Sequence, residues 1–174
     1  FNYFLKSESN DKPTQGYENT ILSAGLGTSF EQYRNLTASL GTTFTYDDLR
    51  TLSSASSKLK KQSGSFNEIA ANYGFSYDTR NRSFMPTSGT ITSFSQSLPI
   101  YADKSSITNT FANSSYRSIT EDIVGATKIY ISTITGLGSD DVRLSKRRGL
   151  SGKRLRGFEK GKIGPIDGSD HVGG

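Results

Sequence analysis

Apolar and polar positions alternate with a period of two along much of the chain. From Leu22 the even positions read Leu22, Ala24, Leu26, Thr28 and Phe30, while the odd positions between them are Ser or Gly. From Leu36 the same pattern sets Leu36, Ala38, Leu40, Thr42, Phe44 and Tyr46 against Thr37, Ser39, Gly41, Thr43 and Thr45. A third copy sets Ile69, Ala71, Tyr73, Phe75 and Tyr77 against Ala70, Asn72, Gly74, Ser76 and Asp78. Successive side chains of a strand point to opposite faces, so each segment predicts a strand with one apolar face and one small, polar face. Each runs to about ten residues, longer than the usual soluble strand and suited to a tilted crossing of a bilayer. Weaker alternation, broken at Phe94 and Ile134, predicts further strands near 1–6, 89–98, 107–118 and 126–137. Seven strands result, the first cut short.

The connections between these segments differ in length. Short links at Glu31–Asn35 and Glu121–Val124 contrast with long polar ones at Ser7–Asn19, Leu49–Ser65 and from Ser139 onward. Short turns at one end and long loops at the other are expected of an outer-membrane barrel. Aromatic rings cluster near strand ends, as at Phe30, Phe44 with Tyr46, and Phe75 with Tyr77, where an interfacial girdle would place them. A soluble β-sandwich produces the same alternation on its inward faces. Ser and Gly opposite the apolar residues favour a barrel, because small polar side chains suit a wet or loop-filled lumen.

Composition agrees with a wall rather than a core. Only 32% of the 174 residues are hydrophobic, whereas 27 are Ser and 18 are Thr. So few apolar residues would hardly offset the ordering entropy of a water-soluble domain, yet an aromatic content of 11% argues against disorder. The absence of cysteine removes disulfides and thiolate metal sites, and a single histidine makes a histidine-based metal or triad site improbable. No apolar run is long enough for a membrane-spanning helix. Phe1 at the start and Val172-Gly173-Gly174 at the end, in what reads as a loop, suggest a piece of a longer chain.

The net charge of +5 is a local property. Between Asp140 and Lys162 stand nine basic residues (Arg143, Lys146, Arg147, Arg148, Lys153, Arg154, Arg156, Lys160, Lys162) and three acidic ones (Asp140, Asp141, Glu159), a balance of +6 that leaves −1 elsewhere. Such a run is either a contact for an anion or RNA or a solvated charge cluster. The acids Asp47-Asp48, Asp140-Asp141 and Asp167 with Asp170 lack the spacing of a dedicated calcium loop and read as solvated. His171 has no matching serine motif and reads as a solvated loop residue, so neither a catalytic nor a metal site is expected.

Two motifs remain. Tyr77-Asp78-Thr79-Arg80 leads to Pro86-Thr87-Ser88-Gly89, where the fixed φ of Pro86 and the freedom of Gly89 suit a turn between two strands. Leu155-Arg156-Gly157-Phe158 precedes Ile163-Gly164-Pro165, and a guanidinium beside a glycine and an aromatic anchor can hold a loop tip in a buried polar site. In this order and spacing the motifs resemble the BamA-type family of outer-membrane assembly and translocation barrels. Asn72-Tyr73-Gly74-Phe75 and Gly173-Gly174 also stand where that family has similar residues. The chain departs from the family before the tip, with Arg147-Arg148-Gly149-Leu150-Ser151-Gly152 where relatives often place an aromatic pair and adjacent glycines.

The resemblance implies an all-β fold, a fragment of a transmembrane up-and-down barrel of about sixteen strands in the bacterial outer membrane. Residues 1–138 would supply about strands five to eleven, and residues 139–174 the sixth extracellular loop. The POTRA domains and other strands would lie outside the chain. By the same resemblance Arg156, Gly157 and Phe158 form the tip of that loop, turned into the lumen and supported by Leu155, Gly164 and Pro165. Arg156 would pair there with acidic groups on later strands, and Asp78, Pro86 and Gly89 would form a periplasmic turn. The implied function is non-enzymatic and needs no cofactor: folding and inserting other β-barrel proteins. Partners would be unfolded outer-membrane clients, assembly-complex lipoproteins and the lipid bilayer, with no nucleic acid. A translocation pore for a secreted partner, or a passive diffusion porin, are the alternatives.

Overall fold

The computed structural model describes residues 1–12, 16–53, 55, 57–139, 141–147, 157, 164, 166–167 and 170–171. Seven strands, β1 (Asn2–Lys12), β2 (Tyr17–Tyr33), β3 (Leu36–Thr51), β4 (Gly64–Asp78), β5 (Gly89–Ala102), β6 (Ser106–Ser118) and β7 (Val124–Gly136), form one sheet. Each pairs antiparallel with its sequence neighbour, in the order β1 to β7. A four-residue helix α1 (Ser57–Lys60) lies between β3 and β4, and a pair of two-residue strands, β8 (Ile166–Asp167) and β9 (Asp170–His171), follows β7.

The seven expected strands are present, in the expected order, and most are longer than the alternation suggested. β2 spans 17 residues and β3 spans 16. The extension corrects one expected link: most of Ser7–Asn19 is strand, because β1 pairs with β2 in unbroken register from Asn2↔Gly27 to Lys12↔Tyr17. Polar residues at the strand ends hid this extension from the apolar pattern. The contrast in link length is also weaker than expected. The links Arg34–Asn35, Thr79–Ser88 and Ile119–Ile123 lie at one end of the sheet, here the turn end. Those at 13–16, 52–63, 103–105 and beyond Gly136 lie at the other, the loop end. The link Thr79–Ser88 is longer than Asp103–Ser105, so link length alone does not separate the two ends.

Register aligns the apolar positions across the sheet. Phe30, Ala38, Phe75, Phe94, Phe111 and Ile131 are successive cross-strand partners and occupy one face. Phe94 therefore belongs to the aromatic face despite its irregular surroundings, whereas Ile134, opposite Thr108, lies on the polar face. Phe30, Phe44, Phe75 and Tyr77 are all exposed there, as a face meant for lipid requires. On the opposite face Gly27 and Gly41 are directly paired, and a Cβ at Gly41 would stand only 2.8 Å from the Leu26 carbonyl oxygen. Glycine permits that close backbone approach.

The apolar core is small and sits at the loop end of the polar face. Tyr17, Leu49, Ala55, Leu59 and Leu144 form a single buried cluster, drawing on β2, β3, the 52–63 link and the segment after β7. Stability otherwise rests on the ladder of strand pairs and on outward faces awaiting hydrocarbon.

Candidate functional site

After Gly136 the chain turns back over the polar face and reaches the far strands of the sheet. Leu137 N–H donates to the Ser105 carbonyl at 2.9 Å, holding the start of this segment against the β5–β6 link. A single 3₁₀ turn at Leu144–Lys146 then lies against β2, β3 and β4. Asp47 of β3 and Glu68 of β4 project from the polar face to meet it.

Arg143 makes the central contact. Its Nε and Nη2 donate to Asp47 Oδ2 at 3.1 and 2.9 Å, and its guanidinium lies 3.4 Å from the Phe66 ring centroid. Both charged side chains are nearly sealed from solvent, at 6% and 8% exposure. Ser145 Oγ donates to the same carboxylate oxygen, while Asn19 Nδ2 donates to Oδ1 at 3.4 Å. Burial pulls the Arg143 guanidinium below its ordinary value, and the Asp47 charge beside it pushes back. Arg143 Nη1 and Asn19 Oδ1 are buried without a hydrogen-bond partner among the described residues.

Neighbouring contacts extend this anchor into a strap. Lys146 Nζ pairs with Glu68 Oε2 and donates to Ser106 Oγ at 3.5 Å, joining β4 to the start of β6. Leu144 N–H donates to Gln62 Oε1 at 2.7 Å, and the Leu144 side chain enters the buried cluster. Arg147 pairs with Asp141 at 2.9 Å within the segment itself. The strap thus ties β7 to β2, β3 and β4 by charge, hydrogen bonds and apolar contact.

Two expectations are corrected here. Asp47 is buried in an ion pair rather than solvated, and Arg143 and Lys146 are neither a solvated run nor a free anion-binding surface, because acids on the sheet take them up. The sequence did carry a signal for this. Asp47 continues the face of Thr37, Ser39, Gly41, Thr43 and Thr45, so an acid stands at the head of an otherwise neutral row. No sequence pattern, however, pairs it with a cation 96 residues away.

Of the expected site residues, Asp78, Pro86 and Gly89 lie at the turn end of the sheet. Asp78 closes β4, and Arg80 clasps its carboxylate through Nε at 2.9 Å and Nη2 at 2.6 Å. That bond holds the Arg80 guanidinium above its ordinary value. Asn81 braces the turn: its Oδ1 accepts from Thr87 N–H at 3.1 Å, and its Nδ2 donates to Thr87 Oγ1 at 2.8 Å. Pro86 is half-buried in this turn. Gly89 opens β5 at φ +94°, where an added Cβ would press on the Thr79 carbonyl. Met85, at φ +47°, also takes the left-handed region. Gly157 and Gly164 are exposed, with φ of +87° and +131°. Leu155, Arg156, Phe158 and Pro165 lie outside the described residues, so the tip motif is not placed by this geometry.

Between the strap and the turn end, the polar face forms an open groove of about 480 Å³. Gly27, Ser39, Gly41, Asn72, Ser95 and Thr110 are among the residues that line it. Hydroxyls, amides and glycines share this uncharged lining with Phe4, Leu26 and Leu40.

Comparison with known proteins agrees with this architecture. The Omp85 superfamily domain matches residues 1–174. "Sorting and assembly machinery component 50 homolog A" from Xenopus laevis is 28% identical over 123 residues, which is 69% of this chain and 26% of that protein. The crystal structure of BamA from Haemophilus ducreyi lacking POTRA domains 1–3 superposes with a TM-score of 0.80 at 22% identity. The match covers 94% of this chain and 35% of the BamA chain, so the present chain spans about a third of that structure and about a quarter of the curated relative. Matched over its whole length, the chain belongs to the Omp85 superfamily of outer-membrane barrels, and its seven strands have the fold of the BamA barrel wall.

Proposed function

We propose that this chain is the central wall of a barrel that folds and inserts β-barrel proteins into a bacterial outer membrane. The observation that carries the reading is the strap. A buried ion pair fixes the segment after β7 against the wall instead of leaving it free in solvent. Here Arg143, Lys146 and Leu144 secure the base of the segment that bears Arg156-Gly157-Phe158. The segment then corresponds to the sixth extracellular loop, and the seven strands to about strands five to eleven of a sixteen-stranded barrel.

In this reading Arg156 enters the lumen and pairs with acids on strands outside the chain. Leu155, Gly157, Phe158, Gly164 and Pro165 shape and support the tip. The Asp78–Arg80 clasp with Pro86 and Gly89 fixes a periplasmic turn. The role is mechanical and electrostatic rather than catalytic. Unfolded outer-membrane proteins would be the clients, with assembly-complex lipoproteins and the bilayer as partners. Nucleic acid is not among the partners in this reading; within the basic cluster Arg143, Lys146 and Arg147 pair with acids.

The test uses the full-length protein in liposomes with an unfolded barrel client. Accelerated client folding is expected, and Arg156→Glu is expected to abolish it while reducing barrel stability. A large, stable conductance without any acceleration would overturn the assembly reading in favour of a translocation pore or a porin.

A further inference from the structure

The outward face is not uniformly apolar. On β2 and β3 its positions from Leu22 to Phe30 and from Leu36 to Tyr46 are aliphatic or aromatic except for Thr28 and Thr42, and Glu18, Thr20, Asp48 and Arg50 continue the face at the loop end. Across β4 to β7 the register instead brings Tyr73, Gln96, Asn109 and Thr133 into one row. Tyr73 OH donates to Gln96 Oε1 at 2.6 Å, Gln96 Nε2 to Asn109 Oδ1, and Asn109 Nδ2 to Thr133 Oγ1 at 3.4 Å. Nearer the turn end Asn113 Nδ2 donates to Thr92 Oγ1 at 2.8 Å and Ser115 Oγ to Asn113 Oδ1 at 3.2 Å.

These rows lie within the span rather than at its margin. Asn109 is three residues from the loop end of β6 and Asn113 five from its turn end. A primary amide carries two N–H donors, and the ladder occupies one on each of Gln96, Asn109 and Asn113. Hydrocarbon offers nothing to the second donor, and an unmet hydrogen-bonding group there costs free energy.

A thinner bilayer would account for polar residues at the edges of the apolar band. It does not account for their interleaving. The row Phe94–Phe111–Ile131 separates the two polar rows, and Leu98 and Ile107 lie beyond the upper one. Apolar rows alternating with open amide donors match a protein surface, where side chains across the contact complete the hydrogen bonds that lipid cannot.

We infer that the outward wall of β5–β7 is a lateral docking site for a membrane-embedded protein partner. That partner presents hydroxyl or amide side chains to the Gln96–Asn109 row and apolar ones to Phe94–Phe111–Ile131. The inference rests on the barrel wall alone and is independent of the assembly role.

The test places a photoreactive residue at Phe111 in the full-length protein in its native membrane, with Phe44 on β3 as the control position. Phe111 is expected to give one discrete adduct with an integral membrane protein, and Phe44 little. Combining Gln96→Leu, Asn109→Leu and Asn113→Leu should lower the adduct yield about tenfold, a loss of the size expected for one or two hydrogen bonds in the membrane. Urea titration checks that the combined variant is folded; if it is not, Asn109→Leu alone is used and the yield should still fall severalfold. Adducts with lipid only, a self-adduct of the chain, or a protein adduct whose yield ignores the leucine substitutions would each overturn the inference.

Discussion

Arg143 and Asp47 are 96 residues apart in sequence and share one buried contact, which makes their substitution informative. Removing one partner of a buried pair strands the other charge, so Arg143→Met in the full-length barrel should cost about 3–5 kcal/mol in urea unfolding. Arg143→Met combined with Asp47→Asn should recover much of that loss, because a neutral pair of similar volume avoids the desolvation that leaves Arg143 Nη1 unmet. A double variant as unstable as the single one would show that the anchor acts through packing against Phe66 rather than charge. At the other end of the sheet, Gly89 is held at φ +94° against the Thr79 carbonyl. Gly89→Ala should lower the unfolding free energy by about 1–3 kcal/mol, measured the same way.

Among the elements, the link between β5 and β6 is tied to β4 through the Asp103 carboxylate. Asp103 Oδ2 accepts from Asn67 N–H at 2.7 Å, and Asp103 N–H returns a bond to the Asn67 carbonyl at 3.1 Å. The first of these holds the Asp103 carboxyl below the usual carboxylate range. A depressed folded-state value means the added stability is present above the unfolded value, about pH 4, and is lost as pH falls through the folded one. Hydrogen exchange should therefore show protection of the Asn67 amide weakening below about pH 4, and Asp103→Asn should remove that dependence. The strap is the second informative element. Leu59 is 2% exposed in the cluster that receives Leu144, and Leu59→Ala should cost about 2–5 kcal/mol through the cavity it leaves. Protease cleavage of the 137–147 segment should quicken in that variant, since its apolar seat is lost.

For the molecule as a whole, the alternation of Leu22–Phe30, Leu36–Tyr46 and Ile69–Tyr77 determined the strands, their order and the face each presents. A period of two is a local property, so it survives translation into structure wherever apolar residues mark it. It faded where polar residues carry the strand onward, which is why β1 and β2 proved longer than their apolar stretches. The turn at Asp78–Gly89 was legible for the same reason, since Pro86 and Gly89 act through their own dihedral angles. The partners of the basic segment were not. Whether a cation is solvated or buried depends on what another strand brings to it, and only the antiparallel stacking of β2, β3 and β4 sets Asn19, Asp47 and Glu68 beneath Arg143 and Lys146. The outward amide ladder has the same origin: Tyr73, Gln96, Asn109 and Thr133 are unremarkable along the chain and become a row through cross-strand register. The sequence by itself determined the period, the faces and the turns, because these depend on neighbouring residues. The tertiary structure alone decided which charges are paired and where polar groups interrupt the lipid-facing wall, because those depend on contacts between strands far apart in sequence.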